Sequence, residues 1–269
     1  MMGPSHAMSG AAVWLAGSLA LDHFWHYGQS PLELAVGTAM CAGGALLPDL
    51  DMSGRVTRNQ GGATVAHTFG VVSLFLAEVL EKVSLGIYDL TRTRRDPHLH
   101  NGHRTFTHTV PFNAAAGYGI FELCVHFGRR AVVGVLFVTF AMALRGLFVN
   151  WSKRAGWVIV TVVAGVSAAT AYPRLDSGRG YAMLGLATGV GGLVHLLGDM
   201  LTPHGCPVLW PLPTGRRMWR CIGLPDAISV AVDGKFERYG LRLLFTVASV
   251  ASVAVLWGPT LLRHYSLRL

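Results

Sequence analysis

The chain has 269 residues, 52% of them hydrophobic and only 13% charged, with a mean hydropathy of +0.44. That balance excludes an ordinary soluble domain and points to a polytopic membrane protein. The net charge of +8 and pI near 9.7 suit a chain facing anionic headgroups, and no nucleic-acid partner is needed to account for them.

In chain order, residues 1–10 (MMGPSHAMSG) lack the basic n-region of a secretory signal and are read as mature sequence. A first span is placed at 7–27, ending in the His- and aromatic-rich LDHFWHYG (21–28), an interfacial belt. A 14-residue apolar run at 34–47 returns across the bilayer within a span at 32–47 and stops at Pro48. The segment 64–90 carries Glu78, Glu81 and Lys82 within its apolar pattern, so it is read as a peripheral or partly inserted helix. Further spans follow at 107–127, 131–149, 156–172, 180–201 and 243–262, and in the fourth of these Gly185 and Gly189 form a small-xxx-small pair for close helix contact. Between the last two, five prolines and the basic run GRRMWR (215–220) mark 202–240 as a loop, with Trp219 placed against headgroups.

Simple alternation of these spans brings four polar clusters to one face: His6, PDLD (48–51), HRTFTH (103–108) and the His195/Asp199 pair. Of the lysines and arginines, 15 fall on that face, 6 on the other, and Arg145 on neither. The positive-inside bias makes the cluster face cytoplasmic. The expected architecture is all-α, a multi-pass helical bundle of the plasma or inner membrane. It forms one integral domain over 1–269, with a cytoplasmic segment at 52–106 and a cytoplasmic loop at 202–240. Cys41, Cys124, Cys206 and Cys221 show no CxxC spacing and are read as reduced filler.

His195 and Asp199 are four residues apart, so on a helix they project from one face and can bind one metal; the bland alternative is a buried histidine bonded to a carboxylate at a helix end. An ionisable pair inside an apolar segment is costly, which favours a functional reading. In NGHRTFTHTVPF, Thr107 is the expected N-cap of the following helix, with His108 in its first turn and Arg104 beside an anion-binding end. Asp49 and Asp51 in a tight loop suit a hard or borderline cation, or one ligand and one general base.

Taken together, SH near the start, PDLD, HRTFTH and HLLGDMLTPHG followed by WPL resemble the YdjM family of predicted membrane-bound metal-dependent hydrolases, which is itself distantly similar to zinc-dependent phospholipase C and P1-type nucleases. The resemblance covers nearly the whole chain and implies a helical metal site built from His6, Asp49, Asp51, His103, His108, His195 and Asp199, with Thr202 and Gly205 shaping the helix exit. The HxxxE motif and N-terminal Trp of the phospholipase relatives are not evident, so one or two ions are expected rather than their full set.

The chemistry this implies is hydrolysis assisted by a divalent metal, zinc first and manganese second. His6, Asp51, His103, His108, His195 and Asp199 are the ligand set, Asp49 or Asp51 the base, and Arg104 the phosphate contact; Thr202, His204 and His67 are second-tier candidates. The expected substrate is a phospholipid or another small or amphiphilic ester. Two other classes stay open: a transporter lined by Arg145, His195 and Asp199, and a scaffold with a structural metal.

Overall fold

The computed structural model describes residues 1–53 and 68–266. Among the described residues there are eight α-helices and no strand: α1 (Gly3–Trp25), α2 (Pro31–Gly44), α3 (Val71–Thr91), α4 (Val110–Phe127), α5 (Arg129–Leu147), α6 (Val149–Ala171), α7 (Arg179–Met200) and α8 (Arg242–Ser266). Among the described residues, five stretches are long and apolar enough to cross a membrane: Pro31–Asp51, Arg129–Leu147, Val149–Arg174, Arg179–Met200 and Phe236–Trp257. The chain is thus an all-helical membrane protein. α1 and α4, both expected as spans, fall outside that set, in keeping with Ser5, His6, Ser9 and Ser18 on the first and Asn113 and Glu122 on the second.

α7 is the axis of the bundle, buried on nearly every side, and it packs against α4, α2 and α1. Missing side chains allow the close approach: a Cβ at Gly185 would meet the Gly117 carbonyl of α4 at 2.6 Å, and one at Gly44 would meet the Thr188 carbonyl of α7 at 2.6 Å. The expected role of Gly185 is therefore realised in the α4–α7 contact. α6 and α8 are peripheral, with Val158, Val162 and Val166 of the first and Leu243, Val247 and Val250 of the second exposed on the outside. α6 bends at Gly156, whose φ of 77° leaves the helical region.

α3 turns a stripe of Ser73, Ala77, Glu81, Ser84 and Tyr88 inward, while Val71, Val72, Phe75, Leu76, Val79 and Val83 are exposed. This inverted amphipathicity suits a helix whose outer face meets lipid. Its N-terminal end reaches midway along α5, where Phe69 lies 5.3 Å from Phe137 between ring centroids. The expected helix at 64–90 is observed from Val71, and His67 lies outside the described residues.

Two boundaries and one side-chain placement depart notably from the sequence reading. α4 starts at Val110 rather than 107, because Thr109 is extended (φ −117°, ψ 151°) and its hydroxyl accepts from Phe112 N; Thr107 and His108 form a 3-10 turn before it. Pro111 fits the first helical turn and fixes this start. The expected loop at 202–240 ends early, since a π-helical turn at Phe236–Leu241 already opens the last helix. Trp219 is buried rather than at the headgroups: its ring stacks on Trp210 at 4.9 Å and tilts against Tyr88 at 5.2 Å, so apolar burial wins over interfacial exposure.

Candidate metal centre

The ends of four segments converge at one end of the bundle. His195, one turn before the end of α7, places Nδ1 2.7 Å from the Ala45 carbonyl just past α2. A carbonyl only accepts, so Nδ1 carries the proton and the Nε2 lone pair faces inward. His108 reaches the same state by another route. Its Nδ1 is 3.0 Å from Thr107 Oγ1, and that hydroxyl spends its single proton on Asp51 Oδ2 at 2.6 Å, so it accepts from the ring. The two Nε2 atoms then face one another at 3.2 Å. Two lone pairs at that separation repel unless a cation or a shared proton lies between them.

Two carboxylates complete the group. Asp49 Oδ1 is 3.6 Å from His108 Nε2 and 3.7 Å from His195 Nε2, and Asp199 Oδ2 is 3.7 Å from each. Ligands about 2.0–2.1 Å from a tetrahedral ion stand about 3.3 Å apart, and these five separations of 3.2, 3.6, 3.7, 3.7 and 3.7 Å lie close to that spacing. Among the described residues, Asp199 Oδ2 is buried without a hydrogen-bond partner, as is His6 Nδ1. Such buried acceptors fit a cation-binding site better than a finished polar core. Two ligand triplets, His6/His195/Asp199 and Asp49/His103/His108, can each hold a metal ion, with all atoms within 4.8 Å of one another.

The surroundings fix these side chains. Asp199 Oδ1 accepts from the Met1 amine at 2.6 Å and Arg104 at 3.1 Å, and His6 Nε2 is 3.3 Å away. The His6 ring lies flat on His195, 3.7 Å between centroids, with Nε2 3.1 Å from the Met1 carbonyl. Asp51 is fully buried and holds His103 Nδ1 at 2.8 Å besides the Thr107 hydroxyl. Burial pulls the His103 pKa down, but the Asp51 carboxylate outweighs it and holds the ring above its ordinary value. Solvent reaches the group past Asp49, His103 and Arg104, whose side chains are 11%, 8% and 24% exposed. Arg104 adopts φ +59°, which turns its guanidinium onto Asp199.

The structure therefore gathers His6, Asp49, Asp51, His103, Arg104, His108, His195 and Asp199. Thr202 caps α7, its hydroxyl donating to the Asp199 carbonyl at 2.7 Å, and Gly205 makes the turn beyond it with φ +58°. His204 is exposed and, among the described residues, touches none of the cluster. Arg145 belongs to the α5–α6 hairpin, with Nη1 3.4 Å from the Ser152 carbonyl. Sequence reasoning missed the Ala45 carbonyl, the bridging role of Thr107, and Asn113, whose Nδ2 donates to the Thr107 and Thr109 carbonyls at 3.0 and 2.9 Å. Of these, only Asn113, a lone amide in an apolar helix, left a visible signal.

No curated protein and no solved structure matches the chain. A profile of the YdjM inner membrane protein family matches residues 1–262. With the motif residues assembled at one end of a membrane bundle and nearly the full length matched, the chain belongs to the YdjM inner membrane protein family.

Proposed function

We propose that the chain is a membrane-bound metal-dependent hydrolase that cleaves a phosphate ester of phospholipid type at the cytoplasmic face. The observation that carries this reading is the pair of inward Nε2 lone pairs of His108 and His195, 3.2 Å apart, with the orphaned Asp199 Oδ2 beside them. Asp49, His108, His195 and Asp199 would hold the ion, and His6 closes the far side of His195. A divalent cation there, zinc first and manganese second, would supply Lewis acidity and make water acidic enough to attack near neutral pH.

The remaining roles follow from position. Asp51, with both oxygens engaged and no exposure, orients His103 rather than acting as a base. His103, partly open to solvent and backed by that carboxylate, is the group placed to move a proton. Arg104 has guanidinium N–H groups beyond the one on Asp199, and they suit a phosphate oxygen. The 15 lysines and arginines that the sequence reading assigns to the cluster face support the cytoplasmic placement.

The test is elemental analysis of the detergent-purified protein beside His195→Ala/Asp199→Ala and His103→Asn, with a phosphoester screen on all three. Metal lost in the double variant, and turnover lost in His103→Asn with the ion between His108 and His195 retained, is the expected result. Bound metal without turnover of any phosphoester would overturn the hydrolase and leave a structural ion. No metal in any of them would overturn both.

A further inference from the structure

Away from the metal centre, Arg95, Arg216, Arg217 and Arg220 line one open pocket with Thr214 and Gly215. The segment that carries them is built rigidly. Thr214 and Arg217 pair across a tight turn, Thr214 N donating to the Arg217 carbonyl at 3.0 Å, and Gly215 takes φ +69° at its tip. Asp96 ties this turn to the one bearing Arg95: its carboxylate accepts from Thr93 N at 2.7 Å, Met218 N at 3.1 Å and Trp219 N at 3.2 Å. Below it, the buried Trp219 is wedged between Trp210 and Tyr88, and its Nε1 donates to Thr91 Oγ1 at 3.1 Å.

Four guanidiniums around one pocket repel one another. Among the described residues none of the four is in an ion pair, whereas Arg92, Arg179 and Arg238 pair with Asp89, Glu33 and Asp233. Asp96 has both oxygens taken by donors of the scaffold itself. A preorganised cationic pocket without its own counter-charge suits an anion with several acceptor oxygens. The neighbours say where that anion resides. Leu209 and Leu212 on the same loop and Leu90 at the adjoining end of α3 are exposed, Leu212 by 65% and Leu90 by 88%. Cations interleaved with outward apolar side chains are the pattern of a surface set into the headgroup layer.

We propose that Arg95, Arg216, Arg217 and Arg220 form a cradle for the phosphate headgroup of an anionic membrane phospholipid, separate from the metal centre and independent of any turnover there. The cradle seats the loop 203–235 on the bilayer, beside the end of the bundle that carries the histidines.

Native mass spectrometry of the full chain released from detergent, loaded with phosphatidylglycerol or phosphatidylcholine, tests this. Phosphatidylglycerol is expected to be retained preferentially, and Arg216→Ala/Arg217→Ala/Arg220→Ala to weaken it by about a hundredfold, about fivefold for each arginine. Arg129→Ala/Arg130→Ala, at the other end of the bundle, is the control and should retain it as wild type does. Circular dichroism and metal content check the fold; should the triple variant fail to fold, Arg217→Gln alone is expected to lose about fivefold. Equal retention of the two lipids, or an equal loss in the Arg129/Arg130 control, would overturn the proposal. Inorganic phosphate binding more tightly than phosphatidylglycerol would assign the cradle to a soluble anion and overturn it too.

Discussion

Gly191 lies on α7 where that helix crosses the end of α2, one turn before His195. A Cβ there would stand 2.7 Å from Ala45 N and 2.9 Å from Gly44 C, with the Cys41 carbonyl oxygen closer still, and real Cβ atoms essentially never come within 3.0 Å of a neighbour. All three obstacles are backbone, so no side chain can swing away. Gly191→Ala must therefore push α2 and α7 apart by roughly 1 Å, and overpacking of this kind costs about 1–3 kcal/mol. The same movement carries the Ala45 carbonyl away from His195 Nδ1, stretching a 2.7 Å hydrogen bond beyond bonding range. Losing the group that orients a metal-binding histidine weakens the metal by about 10–100-fold. Competition against a chelator of known affinity reads the second effect, and thermal melting in detergent reads the first. Gly119→Ala is the control: it adds the same methyl to an exposed position of α4 with no atom of the described residues within 4 Å, and should leave metal affinity unchanged. A Gly191→Ala protein that binds metal as tightly as wild type would refute the link between helix spacing and the site.

Thr107→Val keeps the shape but strands Asp51 Oδ2 and His108 Nδ1, so metal affinity should fall about tenfold or more and Thr107→Ser should restore it, both read by chelator competition. Burial tends to raise the Asp96 pKa, but the Thr93, Trp219 and Met218 donors outweigh it and hold the carboxyl below its ordinary value. A depressed folded pKa gives stability that is present above the unfolded value of about 3.9 and is lost as pH falls through the lower folded one, so Asp96→Asn should melt earlier than wild type at neutral pH, with the gap closing below about pH 4. Glu237→Ala orphans Met2 N–H and Asp233 N–H, part-buried donors now held at 2.7 and 2.8 Å by a fully buried carboxylate, and should cost about 1–3 kcal/mol in total in a thermal melt. Chelation should lower the melting temperature of wild type and not that of His195→Ala/Asp199→Ala, because an ion at about 100 times its Kd contributes about 2.7 kcal/mol; equal shifts in the two proteins would count against a folded-state metal.

The sequence made the gathering of the site legible, because its chemistry is carried by residues that are rare in apolar segments. His195 and Asp199 stand out in a run of Gly, Leu and Val, and the alternation expected from sequence, with 107–127 counted as a crossing, puts them level with Asp49 and His108. What stayed hidden is backbone. The Ala45 carbonyl has no identity in a sequence, yet it fixes which nitrogen of His195 faces the cluster. The N-cap was misplaced by two residues because Thr107 and Thr109 are equally good caps by type, and only the turn geometry shows that the first hydroxyl is committed to Asp51. Trp219 was misread because a tryptophan in a basic loop looks interfacial until Trp210 and Tyr88 are seen on either side of it.

The glycines and the histidines are two parts of one arrangement. α2 passes so close to its neighbours that a Cβ at Gly44 would collide with α7 at the Thr188 carbonyl and one at Gly10 would stand 2.7 Å from the Cys41 carbonyl, from the α1 side. With backbones that near, the short stretch after α2 can present the Ala45 carbonyl to one histidine and, four residues later, the Asp49 carboxylate to two. Bulkier residues would fill the same space with apolar contact, and the bundle would still pack. The ends of α2 and α7 would then stand farther apart, and a shell whose atoms must lie within about 4 Å of each other could not close. Close packing in the apolar part of this bundle is thus what sets the distances in its polar end.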